Sequence, residues 1–130
     1  MTPAPFRALL LASALAGAAV TLAPPVLAHH GWSWAEPEQT EMAAVITSVS
    51  LAPPHPELTV TDADGQVWTI ELGSPGRTDR AGFTADVAKA GDAVTILGNR
   101  ARDPAERVMK AVRITLAGKA YDFYPERIGG

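Results

Sequence analysis

The stretch LTVTDADGQVWTIEL, residues 58–72, determines the fold class. In each half, apolar and polar side chains alternate, which is the pattern of a strand with one buried face. Asp64 and Gly65 lie between the halves, and glycine readily takes the positive φ that a tight hairpin turn requires. The stretch therefore predicts a β-hairpin with strands at 58–62 and 67–72.

Segments on both sides of the hairpin supply further strands. The alternation appears over 42–51 before it, and over 93–98 and 107–116 after it. Pro53-Pro54-His55-Pro56 ends the first of these strands, since a proline has no N–H to donate to a strand ladder. The tail at 121–124 is expected to add an edge contact.

One short helix is predicted between the third and fourth strands. Gly73-Ser74-Pro75-Gly76 is interpreted as the turn that ends the third strand. Thr84 is placed to cap a helix over 85–89, and Gly91 to end it. We therefore predict an all-β fold with one short helix, in the order of a five-stranded OB-type barrel; an open β-sandwich is the alternative. The core is expected to contain Val45, Val49, Val60, Trp68, Ile70, Val94, Ile96, Val112 and Ile114.

The first 28 residues have the pattern of a secretory signal peptide. Arg7 precedes an apolar run over 8–20 that is too short to span a bilayer, and Val26 and Ala28 are the small residues of a cleavage site. Cleavage after Ala28 leaves 102 of the 130 residues, enough for one small domain. We expect a periplasmic or secreted protein with no membrane span in the mature chain.

The mature chain is predicted to consist of an extended N-terminal arm (29–40), a barrel domain (41–124) and a flexible tail (125–130). Trp32 and Trp34, spaced by two, would face one side of an extended arm. We expect them to cover an open barrel end, each gaining roughly 2 kcal/mol or more from burial. Stacking on a ligand is the alternative.

Composition excludes several function classes. There is no cysteine, hence no disulfide framework and no lipid attachment through cysteine, and the formal net charge of −3 argues against a nucleic-acid binder. No nucleophile elbow or phosphate loop is present, so we do not expect an enzyme. One basic cluster could dock an anionic glycan or a periplasmic protein, with an ordinary solvated face as the alternative: Arg100, Arg102, Arg107, Lys110 and Arg113.

The three histidines, His29, His30 and His55, are the candidate metal ligands. Cleavage after Ala28 would give His29 a free amine, and that amine, its ring and the His55 ring form a three-nitrogen set that suits Cu(II). An amine with a pKa near about 7.7 loses its proton to a metal at neutral pH. His30, at the second position, offers a different chelate with the amine and a backbone amide. The alternative is a frayed terminus and a loop histidine held by prolines.

These motifs together resemble a bacterial family of small exported proteins classed as a domain of unknown function. The segments that carry the resemblance are 28–32 (AHHGW), Pro54-His55, 62–65 (DADG), 72–75 (LGSP), Gly82-Phe83 and 90–94 (AGDAV). Relatives more often have Asn-Pro-His followed closely by an aromatic residue, whereas this chain has no aromatic residue between His55 and Trp68. The family implies no reaction.

We therefore expect an exported binding module that takes a transition metal, copper first, through His29, His30 and His55. The alternative is a structural or interaction module that docks a glycan or a partner protein and uses no metal.

Overall fold

The computed structural model describes residues 31–129, which form six strands, one α-helix and one 3₁₀ turn. The fold is thus all-β with one short helix, as predicted. In chain order the elements are β1 (Thr40–Ser50), β2 (Glu57–Asp62), β3 (Val67–Glu71), α1 (Pro75–Arg80), β4 (Ala93–Arg100), β5 (Val108–Leu116), β6 (Lys119–Asp122) and the 3₁₀ turn (Pro125–Arg127).

Five of these strands close into a barrel. The sheet order is β3-β2-β1-β4-β5-β6, with antiparallel neighbours throughout. A parallel pairing of β3 residues 69–71 with β5 residues 108–110 joins the two ends of the sheet. The OB-type barrel is confirmed, and β6 is a sixth strand added beside β5.

A β-bulge interrupts β1 at Thr47. Ile46 is paired with Val60 of β2 and Ser48 with Thr59. The pairing thus advances by two residues in β1 but by only one residue in β2. The extra residue is Thr47, whose hydroxyl donates to the Thr59 carbonyl at 3.1 Å. An unpaired extra residue exchanges the inward and outward faces of a strand from that point on.

The bulge explains an error in the predicted core. Before it, the even-numbered residues from Met42 to Ile46 are buried and Val45 is 44% exposed. After it, Val49 and Leu51 are half-buried and pack against the core. Val45 is therefore not a core residue. The other predicted core residues, beyond Val49, are buried: Val60, Trp68, Ile70, Val94, Ile96, Val112 and Ile114.

The helix lies between β3 and β4, but earlier than predicted. Ser74 is its N-cap, with Oγ accepting the Arg77 N–H at 3.3 Å, and Pro75 occupies the first turn. Serine as N-cap followed by proline is a favoured helix start. The predicted helix over 85–89 is wrong, because residues 85–87 form a turn and residues 88 and 89 have no regular secondary structure.

The longest helix in residues 31–129 has six residues. No helix in this described range is therefore a candidate for crossing a membrane.

Candidate functional site

His55 lies in the loop between β1 and β2, and its side chain is exposed. The next residue, Pro56, is buried, and its carbonyl accepts the N–H of Leu72 at 3.0 Å. Because Leu72 directly follows β3, this bond holds the His55 loop against the end of β3.

His55 borders a cleft of about 230 Å³ that is also lined by Glu71, Ser74, Lys110 and Tyr124. The barrel closure explains this grouping. Glu71 of β3 is in register with Lys110 of β5, so residues that lie far apart in the sequence meet at one end of the closing pair.

Tyr124 reaches the cleft because β5 contains a second bulge. Leu97 pairs with Arg113 and Gly98 with Ala111, which leaves Val112 as the extra residue. The freed Val112 carbonyl accepts the backbone N–H groups of Phe123 and Tyr124, at 2.9 and 3.3 Å. This contact brings the chain after β6 back across β5 and places the Tyr124 ring at the cleft.

Residues 31–39 pack along the barrel. The Ala35 N–H donates to the Trp32 carbonyl at 3.0 Å, which closes a turn over residues 32–35. Arg102 fixes that turn, since its N–H donates to the Trp34 carbonyl at 3.0 Å and its Nε to the Ala35 carbonyl at 2.9 Å.

The rest of this segment is held by two side-chain amides. Nδ2 of Asn99, a buried residue of β4, lies 3.0 to 3.4 Å from the carbonyls of residues 36–38. Nε2 of Gln39 donates to the Arg127 carbonyl at 2.6 Å. Residues 31–39 are thus attached to both β4 and the C-terminal 3₁₀ turn.

Lys110 connects the beginning of this segment to the cleft. Its Nζ donates to the Gly31 carbonyl at 2.8 Å and lies 4.8 and 5.7 Å from the ring centres of Trp32 and Tyr124. The two rings meet edge to face at 4.8 Å. Burial lowers the pKa of the Lys110 amine below its usual range, and the Glu71 carboxylate opposes that effect.

Two arginines extend this group of rings and charges. The Arg127 guanidinium lies 3.9 Å from the Trp32 ring centre, and that of Arg77 lies 4.6 Å from the Tyr124 ring centre. Arg77 is also paired with Glu126 at 3.1 Å. We call Trp32, Arg77, Lys110, Tyr124 and Arg127 the cation–aromatic cluster. Trp32 is half-buried and packs against the core.

Each of the five basic residues of the predicted docking patch has a contact within the chain. Arg100 lies over the Trp68 ring, Arg102 bonds to the Ala35 carbonyl, Arg107 to Gln66, Lys110 to the Gly31 carbonyl, and Arg113 is paired with Asp122.

Of the three predicted ligands, His29 and His30 lie outside the described residues, so the structure places His55 alone. Within residues 31–129, no three side chains of the metal-binding types gather into a group. Lys110 and Tyr124 are not predicted metal ligands; the sequence analysis places Lys110 only in the basic cluster and does not single out Tyr124. The sequence does contain a signal for Lys110, because this lysine interrupts the apolar pattern of β5. A lysine at a buried position requires partners, so such a position indicates a specific contact.

A closed five-stranded barrel with a helix between the third and fourth strands defines an OB-type domain. The chain belongs to the family of unknown function DUF6152, whose model matches residues 17–109. That range includes both His29-His30 and His55. Among curated proteins, none matches the chain.

One similar solved structure is the crystal structure of the S. pombe Stn1–Ten1 complex. The TM-score is 0.51 at 16% identity, and the match covers 62% of this chain and 59% of that chain. At this level of identity the likeness concerns the fold alone.

Proposed function

We propose that this protein is an exported module that binds a copper ion through the His29 amine and ring together with the His55 ring. One observation carries the proposal. Lys110, which lines the same cleft as His55, holds the carbonyl of Gly31, and Gly31 is two residues after His29. The chain therefore enters the described structure beside the cleft that His55 borders.

The proposal requires the chain ahead of Gly31 to reach the cleft. Two residues span at most about 7 Å, since an extended chain advances roughly 3.3–3.6 Å per residue. The Gly31 carbonyl is 2.8 Å from the Lys110 amine at the cleft wall. The proposal therefore asks His29 to bridge only two residues of chain to the cleft, and it requires cleavage after Ala28 to free its amine.

The surrounding charge bears on which metal fits. Lys110, Arg77 and Arg127 lie close together, and the nearby acidic groups are Glu71 and Glu126. An excess of positive charge disfavours a weakly held cation. A metal ion binds there only if its ligands outweigh this repulsion. Cu(II) fits best, because it has the highest affinity for nitrogen ligands among the divalent first-row ions.

Two variants test the proposed ligands. His55→Ala removes one ring, and a single alanine inserted before His29 separates the terminal amine from the histidine ring. We expect both to weaken Cu(II) binding in a competition assay with a chromophoric chelator. If neither does, the site is not formed by these groups. If only the inserted alanine weakens binding, the metal sits on a free terminal peptide and the barrel contributes nothing.

The N-terminus itself is a separate test. Mass spectrometry of the exported protein is expected to give a mature chain that begins at His29. A start at Gly31 or later removes both terminal histidines and leaves docking of a glycan or partner protein, without metal, as the function to pursue.

A further inference from the structure

We infer that a second cleft, between the start of β3 and the loop that joins β4 to β5, binds an acidic sugar whose carboxylate is held by Arg100 and Arg107. This cleft lies wholly within residues 31–129, and none of its lining residues lines the cleft at His55. The inference therefore goes beyond the proposed function and does not depend on copper.

The cleft has the size of a small-molecule site. Its volume is about 320 Å³, and ligand pockets span roughly 300–1,000 Å³, so it suits a ligand of about one sugar residue. Its lining comes from residues that lie far apart in the sequence. Thr40 begins β1, Trp68 lies in β3, Arg100 ends β4 and Arg107 directly precedes β5. The barrel brings these strand ends together.

Arg100 is a half-buried cation that the surrounding chain does not fully satisfy. Its guanidinium lies 5.0 Å from the Trp68 ring centre, and within residues 31–129 its buried Nε has no hydrogen-bond partner. The buried hydroxyl of Thr40, in the same lining, also has no partner in this range. Buried polar groups are normally hydrogen-bonded, because leaving them unpaired costs free energy. Two unpaired groups in one cleft wall therefore indicate a polar ligand.

Arg107 lines the same cleft and is held in place. Its Nε donates to Oε1 of Gln66 at 3.1 Å, a bond that uses one of the five N–H donors of a guanidinium. The loop that precedes it is folded by its own hydrogen bonds, since Asp103 accepts the N–H groups of Ala105 and Glu106 at 2.9 and 3.0 Å. A ligand therefore meets an ordered loop, and little entropy is lost there on binding.

The chemistry of the lining selects the class of ligand. Two planar guanidinium groups suit a carboxylate, with which arginine forms charge-assisted hydrogen bonds in matching geometry. Glu36 and Glu106 also line the cleft, so it carries no excess of positive charge, which disfavours a multiply charged anion such as phosphate. The oxygens of Gln66 and Glu36 can accept hydrogen bonds from hydroxyl groups. A ligand with one carboxylate and several hydroxyl groups matches this lining, and an acidic sugar has both.

The test is a titration with D-glucuronate, followed by heteronuclear NMR of isotope-labelled protein. We expect the signals of Arg100 Nε–H, of Trp68 Nε1–H and of the backbone amides in 100–107 to shift. D-glucose has the same ring and hydroxyl groups without the carboxylate, and acetate has the carboxylate without the hydroxyl groups. Each should need a concentration at least about tenfold higher for the same shift, because each loses part of the charge-assisted or hydroxyl bonding.

Two variants locate the bound sugar. Arg100→Gln and Arg107→Gln should each raise the dissociation constant for D-glucuronate at least about tenfold, because each removes a charged donor. Arg107 is exposed, so its replacement leaves the core intact even if Arg100→Gln disturbs the packing over Trp68. Arg80→Gln is the matched control, because Arg80 is an exposed arginine of α1 outside the lining of the cleft. We expect it to bind as wild type does.

The alternative results each overturn the inference. Absence of a shift with D-glucuronate shows that no such site exists. An equal response to D-glucose removes the role of the carboxylate, and an equal response to acetate shows an adventitious anion only. Unchanged binding in Arg107→Gln shows that the sugar sits elsewhere. None of these results bears on copper binding at His55.

Discussion

At the residue scale, Gly98 shows how close the packing of this barrel is. A Cβ added to Gly98 would lie 2.3 Å from the Lys110 carbonyl oxygen, and that oxygen belongs to the backbone of β5. Backbone atoms cannot move aside by changing a rotamer. Glycine is therefore required at position 98, because β4 approaches the backbone of β5 closely there. The approach lies beside the Val112 bulge and next to Lys110.

Gly98→Ala is predicted to destabilise the protein by about 1–3 kcal/mol, the cost typical of overpacking. Urea denaturation measures this change in the free energy of unfolding. Gly76→Ala is the matched control, because Gly76 lies in α1 with nothing within 4 Å of the added Cβ. We expect that control to be neutral or to stabilise by about 0.5–1 kcal/mol. Equal effects at the two sites would contradict the close approach.

A second prediction at this scale concerns Asp62 and pH. The N–H groups of Gln66, Trp68 and Asp64 donate to its carboxylate, each at 2.9 Å, and these bonds lower its pKa. A lowered pKa means that the stabilisation is present above the ordinary value of about 4 and is lost as the pH falls through the folded-state value. We therefore expect Asp62→Asn to be less stable than wild type above about pH 4. The difference in free energy of unfolding between the two proteins should shrink as the pH drops below about 4, as measured by urea denaturation at a series of pH values. A gap that is constant with pH would refute this role.

At the element scale, β1 shows where a strand pattern is insufficient. Its alternation predicts a strand over these residues correctly, but either set of alternate residues can form the inward face. Nothing local to Thr47 identifies it as an extra residue, since its position depends on pairing with β2. The helix differs, because Ser74-Pro75 is a local signal for a helix start, and its interpretation as a turn is wrong.

The two faces of β1 before the bulge give a direct test of which face is buried. Ile46→Ala is predicted to cost about 2–4 kcal/mol, since Ile46 is 1% exposed in the core and truncation leaves a cavity. Val45→Ala, one residue earlier, should cost less than about 1 kcal/mol because Val45 faces solvent. Chemical denaturation of both variants is the measurement. The reverse ranking would mean that Val45, and not Ile46, lies on the inward face of β1.

At the scale of the whole molecule, the order of strands and helix was sufficient to predict the barrel. The loop that carries His55 was also predictable, since prolines mark it. The partners of that loop were not. Lys110 and Gly31 are separated by 79 residues, and Tyr124 reaches the cleft through the Val112 bulge. Contacts between residues so far apart in the sequence follow from barrel closure and from the positions of the bulges. A local sequence pattern encodes neither of these.

The barrel of residues 31–129 closes through backbone pairing and an apolar core. This separates it from small domains in which metal binding supplies the folding free energy. We therefore predict that a chelator leaves the far-UV circular dichroism spectrum unchanged, and loss of the β signal would contradict this.

Copper bound at the proposed site is expected to raise the free energy of unfolding by mass action alone. At a free concentration 100 times its dissociation constant, an ion that binds only the folded protein adds about 2.7 kcal/mol to the free energy of unfolding. We expect thermal unfolding to shift upward with Cu(II) in wild type, and by less in His55→Ala, because a terminal peptide that binds copper by itself does so in the unfolded chain as well. Equal shifts in the two proteins would show that the metal does not bridge the terminus and the barrel.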